Sequence, residues 1–435
     1  MARVMEATKK TGSVLQMVKE RLAVVPLLGW LFAALFAAGI EYFIGDPVAR
    51  LLGLSKAPAL FGLRTIVDSV VKTPSAVGYV LLMYALPVGL VASVTGTWTN
   101  RWAGRLLDAS FVVSLLVHLA LLYATLHLWS SNSDYRVLVL RLTFISVMVT
   151  LSLNVVNGYL GEFSCSHPGF MALGAYTASV VTVLFFVNDD VFGPPLLPPV
   201  VGPFAFPIAL IAGGLVASAG ALLVAIPSFR TRGDYLAIIS LAFTFIVKSL
   251  IENLEIFGGP RGFMNQPQWA TLPVAFVTMV VCVAIIYNFV RSTLGKATCA
   301  VRDDETAAGH LTVNTRRTKM VAFLFAAFWA GAAGGLLAHV LGYINPGNFG
   351  LLKLSEVLAM VYFGGLNSVV GSVVGAVSIQ VLGEVLRPLQ ILKWIVFPVI
   401  IIGFMMFRPT GLIAFTEVDV REWLAPRDRT DREGE

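Results

Sequence analysis

Apolar residues in this chain gather in runs about 20 long, parted by short polar stretches, and the runs do not alternate apolar with polar. A helical run of that length crosses the roughly 30 Å hydrocarbon of a bilayer. Barrel strands would alternate over about ten residues, and backbone in lipid must otherwise close its hydrogen bonds within a helix. Spans are therefore expected at about 24–44, 77–96, 109–130, 138–157, 168–187, 206–226, 235–252, 272–290 and 319–343, with a more complex apolar region at 355–407. The expected fold class is all-α: a polytopic transmembrane helix bundle of about ten spans, with broken or re-entrant helices.

Composition agrees. The 435 residues are 57% hydrophobic and 13% charged, against about a quarter charged in soluble domains. The net charge of +6 gathers beside the ends of apolar runs, where the positive-inside rule accounts for it. No nucleic-acid partner is implied, and the surrounding partner is membrane lipid. Arg3, Lys9, Lys10, Lys19 and Arg21 against Glu6 and Glu20 place the amino terminus in the cytoplasm. Loop 188–205 lacks Lys and Arg and falls outside, whereas Arg230 and Arg232 draw loop 227–234 inside. Loop 291–319 also falls inside, with Arg291, Lys296, Arg302, Arg316, Arg317 and Lys319 against Asp303, Asp304 and Glu305. Both termini are then cytoplasmic.

The first apolar run exceeds the 7–15 residues of a signal-peptide core, so it reads as a retained anchor. Before it, Val4, Met5, Val14, Leu15, Val18 and Leu22 share one helical face, which fits an interfacial helix or a loose tail equally well. After Leu412 the chain is polar, with seven acids against four arginines, and is expected to be disordered cytoplasmic surface. Cys165, Cys282 and Cys299 lack metal-ligand spacing and read as structural thiols. No G-x-x-x-x-G-K-[ST] occurs, so the chain has no P-loop of its own.

Two stretches carry most of the chemistry. In 157–176, NGYLGEFSCSHPGFMALGAY, glycines 158, 161, 169 and 174 interrupt a membrane-depth segment that also holds Asn157, Ser164, Ser166 and His167, with Asn154 just before it. Broken backbone at that depth persists only when buried in protein or lining a wet cavity, and transporters build substrate sites from half-helix ends. Small residues alone would give only close helix packing. The second stretch is 291–319, a polar loop whose small Ala307 and Ala308 and charged rim suit a short helix seated against a partner. Other polar residues carry less. His118 and His127 read as packing residues, Arg141 as a headgroup-seeking side chain, and Glu384 and Arg387 as a pair or as route-lining residues. Gly331/Gly335 and Gly371/Gly375 read as close helix crossings.

The 157–176 stretch resembles the LivM-type permease pattern of branched-chain amino acid ABC importers, G-Y-x-G-Q-x-S-x-G-H-A-x-F-x-x-x-G-A-Y. Gly158, Tyr159, Gly161, Ser164, His167, Phe170, Gly174, Ala175 and Tyr176 match, while Glu162, Ser166 and Pro168 stand where Gln, Gly and Ala are usual. Four further blocks resemble the same family in order. They are R-G-D-Y-L-A-I-I-S-L-A-F at 232–243, G-G-P-R-G at 258–262, G-G-L-N-S-V-V-G-S-V-V-G-A at 364–376 and F-R-P-T-G-L at 407–412. Loop 291–319 is similar to the family's coupling loop through Gly295, Ala297, Ala300, Arg302, Asp304, Glu305, Ala307, Ala308 and Asn314, with Thr312 where Gly is usual.

The resemblance implies a permease subunit in a bacterial cytoplasmic (inner) membrane. Its partners would be a second permease of the LivH type, two ATP-binding subunits of the LivG and LivF types, and an external or periplasmic substrate-binding protein. ATP and Mg would be bound by the partners, with no cofactor on this chain and no bond chemistry. Coupling to the ATPases is carried onto Gly295, Arg302, Asp304, Glu305, Ala307, Ala308 and Asn314. The translocation route is carried onto Asn157, Gly161, Ser164, His167, Gly169, Phe170 and Tyr176, and an external loop onto Gly258, Gly259 and Pro260. The chain divides into a 1–22 segment, an extension over 23–134, a permease core over 135–412 and a tail over 413–435. Leucine, isoleucine or valine is the implied cargo; urea, short amides and aromatic acids are alternatives in the same family. An ion-coupled secondary transporter would show paired intramembrane charges, and an enzyme would need more than the isolated His167 and His310.

Overall fold

The structure, a computed structural model, describes Leu22 and residues 24–189, 192–229, 235–415 and 419–427. The amino-terminal face before Leu22, Arg230 and Arg232, the start of the 232–243 block, and residues 428–435 lie outside the described residues. Helices build the described chain; no strand occurs among these residues, only isolated bridges of Asp189 with Gly193 and Phe263 with Ile344.

In chain order the helices are α1 (Leu27–Leu51), α2 (Leu63–Asp68), α3 (Thr73–Ala109), α4 (Phe111–Ser130), α5 (Asp134–Tyr159), α6 (His167–Phe186), α7 (Pro199–Ser228), α8 (Tyr235–Asn253) and α9 (Leu272–Arg291). Two short helices follow, α10 (Thr293–Asp303) and α11 (Glu305–His310), and then α12 (Thr315–Leu341). The 355–407 region resolves into α13 (Leu351–Gly364), α14 (Val369–Val385) and α15 (Arg387–Phe407), and α16 (Val420–Leu424) closes the described chain. Ten of these helices are long and apolar enough to cross a membrane, α13 and α14 being too short. The ends follow local chemistry. Proline in the first turn opens α3, α6, α7 and α9, where its missing N–H costs nothing. Gly342, at φ 69°, ends α12 in the left-handed conformation that glycine adopts without strain.

The helices form two compact units. The first holds the described residues up to Val137, Glu384–Lys393 and the described residues from 419 on; the second holds Leu138–Gly383 and Trp394 onward to 415.

In the first unit α1 packs on α3 and α4 around a buried ion pair. Arg136 grips Glu41 in two bonds, Nη2 to Oε1 at 2.9 Å and Nη1 to Oε2 at 3.0 Å. Tyr79 donates to the same carboxylate at 3.1 Å, as does Tyr84. The guanidinium also donates to the carbonyls of Trp129 (3.0 Å) and Pro58 (3.1 Å) and lies 4.8 Å over the Trp129 ring. Glu384 pairs with Arg387 at 3.3 Å and accepts from Tyr135 at 2.8 Å.

The same unit corrects the expectation of a wholly disordered tail. α16 docks on α1 and α4 with Leu424 buried. The Asn100 side chain donates to Arg427 O at 3.0 Å and accepts from Arg427 N at 2.9 Å. One amide supplies both a donor and an acceptor, so it pairs with the backbone as a neighbouring strand would.

In the second unit α6, α7 and α12 pack most closely, and glycine permits it. A Cβ on Gly174 would overlap the Gly331 backbone, one on Gly334 would overlap Met171, and Gly213 sits against Gly174 O. The Gly331/Gly335 crossing read from sequence is present, as is that of Gly371 and Gly375, which face Gly364. Among the described helices, α5 has 89% of its apolar window buried and α15 only 6%, so α15 is left open to its surroundings.

Candidate functional site

α5 does not end as an α-helix. Its last turn, Val155–Tyr159, is a π-turn, a local widening common at functional positions. Gly161 then turns the chain at φ 76°, residues 160–166 run without helix, and His167 starts α6. Groups buried at membrane depth need partners, and side chains supply them. Asn157 Oδ1 accepts from Ser164 N at 3.1 Å, Ser240 Oγ from Cys165 N at 2.9 Å, and Thr244 Oγ1 donates to Cys165 O at 2.9 Å. The hydroxyls of Ser164 and Ser166 stand 2.8 Å apart. His167 Nε2 lies 3.1 Å from Ser152 Oγ, whose single proton goes to Ala326 O at 2.7 Å; Nε2 therefore carries the proton and donates.

Asn154 joins this break to the segment before α14. Its Nδ2 donates to Ser368 O (3.1 Å) and Ser372 Oγ (2.6 Å), and its Oδ1 accepts from Asn367 N at 3.3 Å. The end of α5 and the 364–376 block, far apart in sequence, are thus hydrogen-bonded through Asn154.

The 291–319 loop is a capped pair of helices. Gly295 permits the tight corner from α9, because a Cβ there would overlap the carbonyls of Phe289 and Val290. Ser292 caps α10, and Asp304 caps α11 by accepting from Thr306 N (2.8 Å) and Ala307 N (2.9 Å). Asn314 caps α12, accepting from Arg317 N at 3.0 Å. Such side-chain caps contribute about 1 kcal/mol each. Thr312 holds φ 68°, a region where a β-branched residue is strained. Ala307 is exposed, whereas Ala308 turns inward and is buried in its own chain.

This loop packs on the break. The Arg302 stem occupies the space a Cβ on Gly161 would need, and Arg302 Nη1 reaches Gly158 O at 3.4 Å. Lys319 Nζ stands 2.6 Å from Glu162 Oε1 and 2.9 Å from Glu305 Oε2. Asn157, Gly161, Arg302 and Glu305, assigned to two roles from sequence, therefore belong to one neighbourhood. Ser164 and His167 are wholly buried there, while Gly161, Phe163 and Glu305 are exposed. Gly169 lies against Phe243, and Phe170 is enclosed by the rings of His167, Phe243 and Phe323.

The remaining assigned residues lie elsewhere. Tyr176 meets Phe257 and Phe349, beside the turn of Gly258, Gly259 and Pro260. That turn uses positive φ at Gly258 and Gly259 and is tied to the chain after α12. Phe263 and Ile344 pair at 2.8 and 3.0 Å, Tyr343 donates to Arg261 O at 2.7 Å, and Asn345 to Pro260 O at 3.2 Å.

A family model for the permease component of branched-chain amino acid transport systems matches residues 135–407. The chain belongs to that family. This permease is 30% identical over 350 residues to the high-affinity branched-chain amino acid transport system permease protein LivM of Escherichia coli (strain K12), covering 72% of this chain and 78% of that protein. The LivM of Salmonella typhimurium gives the same identity and coverage. A shorter likeness, 24% over 137 residues, reaches the autoinducer 2 import system permease protein LsrC of Photorhabdus luminescens and covers 30% of this chain and 41% of that one. No solved structure matches the chain.

The permease is a multi-pass membrane protein of transmembrane helices. The sequence offers Lys319 as one of several loop charges and Glu162 as a motif departure that adds a charge near the pathway; their pairing, which spans 157 positions, is seen only in the structure. Glu41 and Arg136 went unnoticed in the sequence. The signal was available, since an acid inside an apolar run is costly unless it is partnered.

Proposed function

We infer that this permease is a membrane-spanning subunit of an ATP-driven importer for leucine, isoleucine or valine. The observation that carries the reading is the contact between the capped 291–319 loop and the π-turn break of α5, placed within the matched family region. A chain without a P-loop needs motion delivered from outside, and the capped helices α10 and α11 present a rigid surface to receive it. The outward face of α11, with Glu305, Thr306, Ala307 and His310 exposed, meets the partner ATPase in the cytoplasm. LivG- and LivF-type subunits hold the ATP and Mg.

The break at Asn157–His167 faces the route shared with a LivH-type permease, with Gly161, Glu162 and Phe163 on its open side and Ser164, His167, Gly169 and Phe170 supporting it from within. The Gly258–Pro260 turn receives the external binding protein. Closure of the ATPase pair shifts α10 and α11, and the break follows, in the manner of alternating access. The extension over 23–134 precedes the permease core, and the membrane is the bacterial inner membrane with both termini in the cytoplasm.

The test is reconstitution into liposomes with and without the partner ATPases, permease and binding protein. Uptake of labelled leucine is expected only with partners and ATP. Accumulation by the lone chain under a proton or sodium gradient overturns the reading.

A further inference from the structure

Glu162, Glu305 and Lys319 come from three segments: the loop between α5 and α6, the first residue of α11, and the first turns of α12. One ammonium serves both carboxylates, at 2.6 and 2.9 Å. Its side chain is only 14% exposed and that of Glu162 25%, so water screens this arm less than an open surface pair. The Glu305 side chain is 53% exposed and is the outer end of the bridge. Asp304 caps α11, and Glu305 is the first residue of that capped helix.

Arg302 grips the same piece of chain from the other side, through the Gly158 carbonyl and the space beside Gly161, and its guanidinium is itself held by Asp303 at 2.7 Å. Residues 158–162 are thus held by two cations, both from the 291–319 loop. The two carboxylates share this one ammonium, and losing the lysine sets them against each other.

We propose that Lys319 is a positioning residue that transmits movement of α11 to the helix break, its ammonium tying Glu305 to Glu162. This rests on the importer reading above, in which α10 and α11 receive the ATPase motion. A simple brace would change only stability, while a transmission contact also changes the substrate moved per ATP.

The experiment compares the unmutated chain, E162Q, K319Q and the charge exchange E162K/K319E. Amide hydrogen exchange is read on the purified full chain in lipid nanodiscs, and leucine uptake against phosphate release is read in the assembled importer. K319Q is expected to raise exchange about threefold or more in both 158–166 and 305–311 while the middle of α12 stays protected. Uptake per ATP should fall about fivefold. The exchanged pair should recover protection in 158–166 and about half of the uptake ratio, as coupled residues do in a double-mutant cycle. E162Q keeps a hydrogen-bonding amide without the charge and should move both readouts in the same direction by less, which covers the case in which K319Q misfolds.

Unchanged exchange in either segment overturns the proposal, and so does raised exchange with an unchanged uptake ratio. If the unmutated assembly shows no ATP-driven leucine uptake, the importer reading falls and the transmission role with it. The exchange data would then still show whether the bridge exists.

Discussion

The Glu41 cluster of the first unit and the α6–α7–α12 crossing of the second hold their helices together by opposite means. Around Glu41 the first unit spends polar groups: an arginine, a carboxylate, two tyrosines and two backbone carbonyls meet in one buried cluster. At its α6–α7–α12 crossing the second unit removes side chains instead, and Gly174, Gly213, Gly331 and Gly334 bring backbones into direct contact. In water either core would be driven by hiding apolar surface. In lipid the surroundings are as apolar as leucine, so association falls to close packing and to interhelical hydrogen bonds. The Glu41 cluster relies chiefly on the second of these means and the α6–α7–α12 crossing on the first. A polar cluster tolerates little chemical change, because a charge that loses its partner stays buried; a glycine crossing tolerates chemistry but not volume.

The largest effect should come from Arg136→Met. It strands Glu41, and breaking a buried pair from one side costs about 3–5 kcal/mol. Thermal unfolding followed by tryptophan fluorescence, with Trp129 beside the cluster as reporter, should show a large fall in midpoint. Replacing both members as E41L/R136M should recover most of the loss, since no charge then remains unpaired. A single variant that melts with the unmutated protein would remove the polar cluster from the comparison.

Next in size is Gly174→Leu, which forces a side chain into the Gly331 backbone; overpacking of that kind costs about 1–3 kcal/mol. The monodisperse fraction after extraction in detergent should drop sharply. Gly403→Leu is the control, because nothing lies within 4 Å of a Cβ there, and its stability should stay within about 0.5 kcal/mol of the parent. Equal losses at both positions would mean that glycine content, rather than the crossing, matters.

The smallest effect is expected at Asn100→Ala, which deletes the paired bonds to Arg427. The net loss should be about 1 kcal/mol, visible as faster amide exchange over 420–427 with little change in α3. Unchanged exchange would mean that burial of Leu424, and not the amide, holds the tail.

Much of this architecture was legible in advance. The apolar runs at 24–44 and 109–130 correspond to α1 and α4, and the glycine-rich 157–176 stretch does interrupt a helix. The tail was misread because its polarity is a property of composition, whereas its docking depends on one leucine and one amide 327 positions away. Among the site residues, Asp304, Asn314 and Gly295 were singled out through the family resemblance, and the structure shows them as a cap, a cap and a corner, each acting on its own neighbours. Ala308 was expected to face outward and faces inward, because which side of a six-residue helix is covered depends on what lies beneath it.

The positions of most membrane-length helices were determined by the sequence alone, because hydrogen bonds within a helix and the match of an apolar run to a bilayer are local properties, whereas the extension of 77–96 to Thr73–Ala109 and the division of 355–407 came from the structure. The family was determined too, since its blocks are contiguous. Only the tertiary structure decided that Arg136 answers Glu41, that Asn154 answers Ser372, and that Lys319 joins Glu162 to Glu305. Apolar helices in lipid have no preferred neighbour on hydrophobicity alone, so partner choice passes to a few polar side chains and glycine faces. Their complementarity exists only once distant segments have met.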